Sequence, residues 1–413
     1  MGWNSWDCFG AAVTETQTRA NADYMAEHLR QYGWQYIVVD IQWYEPLAEG
    51  WDYRPNAKLK MDEYGRLLPA GNRFASAANG NGFKAIADYV HSKGLKFGIH
   101  MLRGIPRQAV VQNTPIYGTH LRATDIVDKN STCPWNGDMW GVDTSKPGAQ
   151  EYYDALFQQY AAWGIDFIKV DDLSRPYHAG EINAIRNAID RCGRPIIFST
   201  SPGATPLRYG SDIAAHANMW RISDDFWDRW QPLKEQFQRC ADWAPFCGTG
   251  HYPDADMLPL GAIRASEHGH TGFTREEQYT VMTLWAICRS PLMFGGNLPQ
   301  TDEFTLSLLT NDEVLAVDQR NTPGRQLFRH NDLIAWVADV PGSGDKYLAV
   351  FNGQDQTDER STAIVAVELG DIGINGKARV RDLWRHSDVG VFNRGFAPSI
   401  PFHGAGLYRV AAE

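Results

Sequence analysis

Eight short apolar stretches, each followed by a longer stretch with the roughly 3.6-residue period of an amphipathic helix, leave this chain few folds to choose from. Strands are predicted at Gly2–Trp6, Tyr36–Asp40, Lys96–Met101, Phe167–Asp171, Ile196–Thr200, Met219–Ser223, Ala255–Leu258 and Pro291–Phe294. Helices are predicted near Thr14–Tyr32, Phe83–Ser92, Ala149–Trp163, Glu181–Arg191, Pro206–His216, Asp228–Trp243, Arg275–Cys288 and Glu303–Leu309. Such alternation signals βαβ units on a parallel sheet, and eight of them make a (β/α)8 TIM barrel, an α/β fold. The third βα connection, roughly Arg103 to Asp143, carries little regular pattern, and loops of that length are usually functional.

After about Asn321 the pattern changes. Short alternating stretches at Leu333–Val337, Tyr347–Phe351, Ala363–Val367, Ala378–Leu383 and Gly406–Val410 are separated by turns such as Pro341-Gly342-Ser343-Gly344. They predict a C-terminal antiparallel β-sandwich domain over 321–413, behind a catalytic barrel over 1–320. A chain of 413 residues exceeds the usual size of one core, which agrees with two domains. The net charge of −10 argues against nucleic-acid or anionic-membrane partners. No run reaches the roughly 18 apolar residues of a membrane span. No signal peptide is visible, but the chain starts directly on Met1-Gly2-Trp3, so the compartment stays open between cytoplasm and periplasm or exterior. The oligomeric state is not legible.

The six cysteines (Cys8, Cys133, Cys192, Cys240, Cys247, Cys288) are scattered without a CxxC pair and read as mostly buried thiols. No metal or other cofactor is expected. The grouping Glu267, His268 and His270 suggests a metal site only superficially, since loop histidines of this kind are more often solvated or substrate-lining. The 15 tryptophans recur near strand ends (Trp3, Trp6, Trp43, Trp220), where flat rings suit the apolar faces of sugars, although core packing accounts for many of them.

The chemistry gathers at strand C-termini, where barrels place reactive groups. Phe167-Ile168-Lys169-Val170-Asp171-Asp172 ends an apolar strand with a lysine and an aspartate on the same face, about 7 Å apart by strand rise. Asp40, Asp224, Asp225 and Asp256 fall at other strand ends, with Arg221 among them. Paired carboxylates in one pocket are the machinery of glycoside hydrolysis, one ionised and one protonated. Lys169 would favour ionised Asp171, while like-charge repulsion would favour protonation of its partner.

Met1-Gly2-Trp3-Asn4-Ser5-Trp6, Lys169-Val170-Asp171, Trp220-Arg221-Ile222-Ser223-Asp224-Asp225, Asp254-Ala255-Asp256-Met257-Leu258 and Leu284-Trp285-Ala286-Ile287-Cys288-Arg289-Ser290-Pro291-Leu292 together resemble glycoside hydrolase family 27, the melibiase-like α-galactosidases and α-N-acetylgalactosaminidases. The resemblance implies a retaining, exo-acting hydrolase that removes terminal α-linked galacto-configured sugars from an oligosaccharide or glycoconjugate by double displacement. It places the nucleophile on Asp171 and the acid/base on Asp225. It also implies sugar contacts from Trp6 by ring stacking, Asp40 toward the C4 and C6 hydroxyls, Lys169, Arg221 toward the C2 substituent, and Asp256. His100 stands where the family usually has tyrosine, to hold a hydroxyl or to pack. Asp172 and Asp224 are read as structural neighbours.

Departures from the family pattern bear on the sugar. Ile41 follows Asp40 where a second aspartate is common, which removes hydrogen bonds to O4 and O6 and admits a sugar without the CH2OH group, such as β-L-arabinopyranose. Ser201 and Ala204 stand where galactosidases often carry Glu and a bulkier residue, leaving room for a 2-acetamido group. Leu173 occupies the position of the family's disulfide partner, so Cys133 is expected to be free. Two other classes compete: a Schiff-base lyase using Lys169 as amine nucleophile, and a non-catalytic carbohydrate-binding protein that retains the pocket.

Overall fold

The computed structural model describes residues 1–78, 80–263, 269–355 and 361–413, in two compact units. The first comprises Met1–Asp224, Ala262–Gly269 and Met293–Gln300. Its parallel strands are β1 (Gly2–Asn4), β2 (Tyr36–Val39), β3 (Lys96–Leu102), β4 (Phe167–Asp171), β5 (Ile197–Thr200), β6 (Met219–Arg221) and, from the late segment, β8 (Met293–Phe294). They pair in the order β6-β5-β4-β3-β2-β1-β8. Ile37, Val38, Val39, Ile99, Ile168 and Val170 are all buried, as expected for strands covered on both faces.

Helices α1 (Glu15–Tyr24), α2 (Lys84–Ser92), α3 (Ala149–Trp163), α4 (Ala179–Arg191) and α5 (Gly210–His216) follow β1 to β5. Local chemistry sets their ends. A capping box joins Thr14 and Gln17 at the start of α1, and Gly164, at φ +83°, closes α3 in the left-handed conformation.

The second unit comprises Asp225–Gly261, His270–Leu292 and Thr301–Glu413. It holds β7 (Tyr252–Asp254), α6 (Trp230–Trp243), α7 (Arg275–Cys288), α8 (Glu303–Leu309) and α9 (Asp312–Arg320). The eight parallel strands and their intervening helices give the (β/α)8 class read from the sequence. An antiparallel sheet closes the chain: β9 (Arg325–His330), β10 (Leu333–Asp339), β11 (Lys346–Asn352), β12 (Lys377–Asp382), β13 (Ser387–Asn393) and β14 (Ala405–Ala412), ordered β9-β10-β11-β14-β12-β13. Two short ladders, Thr362–Ile364 with Ser399–Pro401 and Val367–Glu368 with Gly395–Phe396, supply the opposing layer. Leu348, Val350, Val365, Leu369, Phe396, Ile400 and Tyr408 fill the core of this sandwich.

The structure corrects several local expectations. The seventh strand is Tyr252–Asp254, not Ala255–Leu258, because Asp256 sits at φ +85° and turns the chain there. Helix α9 was not anticipated, although Asn311 caps it by accepting from the Val314 N–H. The predicted helix over Thr14–Tyr32 passes from α1 through a π turn at Met25–Leu29 to a 3-10 turn at Arg30–Tyr32. The first strand stops at Asn4, and Trp6 opens a short helical turn.

The connection after β3 is also more regular than its sequence suggests. It folds as a three-stranded antiparallel insert of Ile105–Pro106, Met139–Val142 and Val127–Thr132, with helical turns at Arg107–Gln112 and Ala123–Ile126. A buried carboxylate ties it to the connection after β2. Asp138 Oδ2 accepts from Gln42 Nε2 at 2.6 Å and from the Tyr44 hydroxyl at 3.1 Å.

Candidate active site

Asp171, the last residue of β4, is buried. Parallel register sets His100 of β3 opposite Lys169, and Lys169 opposite Ser199 of β5. His100, fully enclosed, brings Nε2 to 2.9 Å from Asp171 Oδ2. The other carboxylate oxygen, Oδ1, accepts no hydrogen bond from the described residues. Burial by itself would raise the carboxyl's pKa. Lys169, His100 and Arg221 outweigh it and hold Asp171 down to about 2, so it is ionised at any working pH.

Asp40 follows β2 and is equally enclosed. Its Oδ2 accepts from Asn4 Nδ2 at 2.7 Å and from Lys169 Nζ at 2.9 Å, and its Oδ1 accepts from the Ile41 N–H at 2.8 Å. Ser5 Oγ takes the Asp40 N–H at 2.9 Å. Lys169 thus bridges Asp40 and the field at Asp171. The Ile41 side chain is 1% exposed and, being hydrocarbon, supplies no second carboxylate after Asp40. Trp6 is half-buried and lies nearly parallel to Tyr53, ring centroids 6.2 Å apart, and Tyr53 in turn meets Trp135 of the β3 insert at 5.6 Å.

Beyond β5, Ser201 is buried and its Oγ accepts from Arg221 Nη1 at 3.3 Å. Arg221 also donates from Nη2 to the Ser223 carbonyl at 3.2 Å. Ala204 is half-buried one residue past Gly203, which adopts φ +83° beneath the Arg175 guanidinium. Arg175 ion-pairs with Asp224 at the surface.

Asp225 and Asp256 belong to the second unit. Asp225 is exposed. Asp256 is buried, and its carboxylate accepts the Phe226 N–H at 2.7 Å and the Met257 N–H at 2.7 Å. Trp285 Nε1 donates to the Asp256 carbonyl at 2.8 Å. Asp256 therefore fixes the backbone immediately after Asp225, a supporting contact that sequence spacing did not reveal.

The first unit accordingly brings together Asp40, His100, Lys169 and Asp171, and separately pairs Ser201 with Arg221. Asn4 and Ser5 were missed as partners of Asp40, although polar residues ending a short apolar strand are a signal that was available. Among the described residues no cluster of His, Cys, Asp and Glu could hold a metal ion, and Glu267 and His268 lie outside those residues. All six cysteines are unpaired thiols.

Known proteins match this chain throughout. A family described as alpha galactosidase A matches residues 137–320, and the alpha galactosidase C-terminal beta sandwich domain matches residues 330–410. The α-galactosidase of Cyamopsis tetragonoloba is 29% identical over 99% of this chain and 85% of its own. A crystal structure of a GH27 β-L-arabinopyranosidase from Geobacillus stearothermophilus is 54% identical, covers 100% of this chain and 95% of its own, and superposes with a TM-score of 0.95. That of a putative α-N-acetylgalactosaminidase from Bacillus halodurans is 48% identical, covers 100% and 97%, and has a TM-score of 0.89. Identity of this extent over a shared barrel and sandwich leaves one assignment: the chain belongs to glycoside hydrolase family 27 and is a glycosidase.

Proposed function

We propose that the protein is a retaining, exo-acting hydrolase of terminal galacto-configured glycosides, with Asp171 as nucleophile and Asp225 as acid/base. The observation that carries this reading is the setting of Asp171, a buried carboxylate at the end of β4 with His100 Nε2 2.9 Å from its Oδ2 and Lys169 two residues earlier on the same strand. In the first step an Asp171 oxygen bonds to C1 as the C1–aglycone oxygen bond breaks, and Asp225 gives its proton to the departing oxygen. In the second, Asp225 takes a proton from water, the water oxygen bonds to C1, and the ester to Asp171 breaks. Two inversions restore the starting configuration. Trp6 stacks on the sugar, Asp40 and Lys169 take its hydroxyls, Arg221 faces the C2 substituent, Asp256 is a further sugar contact, and Ser201 and Ala204 leave space at C2.

Against a Schiff-base lyase, Lys169 spends its ammonium on Asp40 at 2.9 Å, whereas amine nucleophiles are activated by apolar desolvation or a neighbouring cation. Hydrolysis of any of the glycosides tested below would exclude a binding-only protein.

A second reading concerns the substituent at C5. The buried hydrocarbon of Ile41 offers nothing to a C6 hydroxyl, and the Geobacillus stearothermophilus relative is described as a β-L-arabinopyranosidase. A nitrophenyl panel of α-galactoside, α-N-acetylgalactosaminide and β-L-arabinopyranoside separates the possibilities. Preference for the acetamido sugar assigns the C2 space to Ser201 and Ala204, and preference for the arabinoside makes Ile41 the discriminator. Cleavage of none of the three overturns the galacto-configured reading. Ile41→Asp is expected to raise the galactoside-to-arabinoside ratio of kcat/KM by about 10- to 100-fold, the worth of one buried hydrogen bond to O6. An unchanged ratio would remove Ile41 from specificity.

A further inference from the structure

We propose that Arg103 is the positioning residue for Asp171, acting by clamping the turn that carries the nucleophile. The proposal rests on the assignment of Asp171 above and says what aims it.

The backbone leaves β4 in an unusual way. Asp172, the next residue, adopts φ +68°, a left-handed conformation that is uncommon outside glycine and that aspartate tolerates better than most residues. Arg103, the first residue past β3, holds this turn from several directions. Its N–H donates to the Asp171 carbonyl at 3.1 Å. Its Nε donates to the Asp172 carbonyl at 2.6 Å, and Nη2 stands 2.9 Å from Asp172 Oδ2. Two successive peptide oxygens and one carboxylate are thus gripped by a single side chain and its own backbone.

The guanidinium is itself fixed. Nη1 donates to Glu181 Oε1 of α4 at 2.9 Å, and the Tyr153 hydroxyl of α3 donates to the other Glu181 oxygen. Tyr153 also accepts the Gly104 N–H at 3.3 Å, which returns the network to the residue after Arg103. Arg103, Asp172, Glu181 and Tyr153 are all buried. Gly141 of the insert packs closely here: a Cβ there would stand 2.5 Å from Ser131 Cβ and 3.1 Å from Arg103 Nη1. A planar fork with fixed donors can serve acceptors on both sides in this way, and the point charge of a lysine cannot.

The site contains two carboxylates for one guanidinium. Burial, with Glu181 and Asp171 adding to it and Arg103 opposing it, pushes Asp172 up to about 6. Burial likewise raises Glu181 against the pull of Arg103. So costly a cluster beside the nucleophile is more than stability alone requires, because buried ion pairs are weak stabilisers. Its geometric effect is specific: the bond from the Arg103 N–H fixes the peptide that leaves Asp171 and the bond from Nε fixes the next one, so the backbone on the C-terminal side of the nucleophile is held at two successive peptides.

The experiment compares full-length wild type, Arg103→Met, Arg103→Lys and Glu181→Gln, with near-UV circular dichroism to fix the folded fraction. The readouts are the pre-steady-state rate of aglycone release and KM, on whichever nitrophenyl glycoside the wild type cleaves. Arg103→Met is expected to slow the first covalent step about 10- to 100-fold with little change in KM, the signature of a misaimed group. Arg103→Lys should recover part of the rate, and Glu181→Gln should lose less than Arg103→Met. A folded Arg103→Met with the wild-type rate overturns the proposal, as does a loss that only follows the unfolded fraction. If Arg103→Met does not fold, wild-type rates in both Arg103→Lys and Glu181→Gln overturn it. Mapping the adduct of a 5-fluoro glycosyl fluoride separates the two layers. A label away from Asp171 defeats the nucleophile assignment and the clamp together, and a label on Asp171 with unaffected clamp variants defeats the clamp alone.

Discussion

Asp171→Asn is expected to lower turnover by about 10⁴-fold or more, whatever glycoside is used. Asparagine keeps the shape of the side chain but cannot form the ester on which double displacement depends. The folded state should survive, because β4 is held by parallel pairing to β3 and β5 that the substitution does not touch. A cooperative melt with wild-type near-UV signal would establish that, and full activity in the folded variant would refute the assignment. The melt should also depend on pH in a defined direction. Asp171 has a folded pKa of about 2, below its ordinary value, so its charge stabilises the native state above about pH 4 and that contribution is lost as pH falls through about 2. Wild type and Asp171→Asn should therefore differ most in melting temperature near neutrality and converge in strong acid. A constant gap would mean that the network around Lys169 does not sense this charge. In Asp171→Gly, added azide should restore release of the aglycone and give a glycosyl azide of inverted configuration, because azide then forms the C1 bond that Asp171 would have formed.

For Asp225→Ala the expected result depends on the leaving group. A general acid contributes about 10²- to 10⁴-fold when the departing oxygen is basic. Natural linkages should suffer that full loss, and dinitrophenyl glycosides, whose phenolate leaves without a proton, should lose far less in the first step. The location of Asp225 suits a group that gives a proton to the leaving group and takes one from water in each cycle: it is exposed, and Asp256 pins the peptide next to it through the Phe226 N–H. Asp256→Asn should accordingly show the same leaving-group dependence in milder form. Equal losses on both substrate types would take Asp225 out of the acid role.

Where the sequence was legible, local chemistry was the reason. Ala149–Trp163 and Arg275–Cys288 have the bounds that their periodicity predicts, because Gly164 stops the first and a Thr274–Glu277 capping box starts the second. Phe167–Asp171 is likewise as read, an apolar run ended by charge. The seventh strand was misplaced since Tyr252-Pro253-Asp254 has no β-branched residue and contains a proline, while the apolar residues after it lie in a turn fixed by the carboxylate of Asp256. The insert after β3 escaped notice because its longest strand, Val127–Thr132, is polar and partly exposed, so burial imposes no alternation on it, and Ile105–Pro106 is only two residues long. Asp171 could be named from a motif, but Arg103 could not: Asp172 and Glu181 lie 69 and 78 residues further along the chain, and only parallel pairing of β3 with β4 makes them neighbours.

The hydrogen bonds that Asp138 accepts from Gln42 and Tyr44 carry a lesson for anyone recombining this enzyme with its relatives. The connections after β2 and β3 form one exchangeable cassette, not two. A chimera that imports the β3 insert alone, from a parent without this aspartate, strands a buried amide and a buried phenol. Importing the β2 connection alone strands a buried carboxylate, and either error costs about 1–3 kcal/mol before substrate is considered. Because Ile41 sits on the same connection as Gln42 and Tyr44, sugar preference and the architecture of the neighbouring loop are inherited together, and crossover points belong outside the pair.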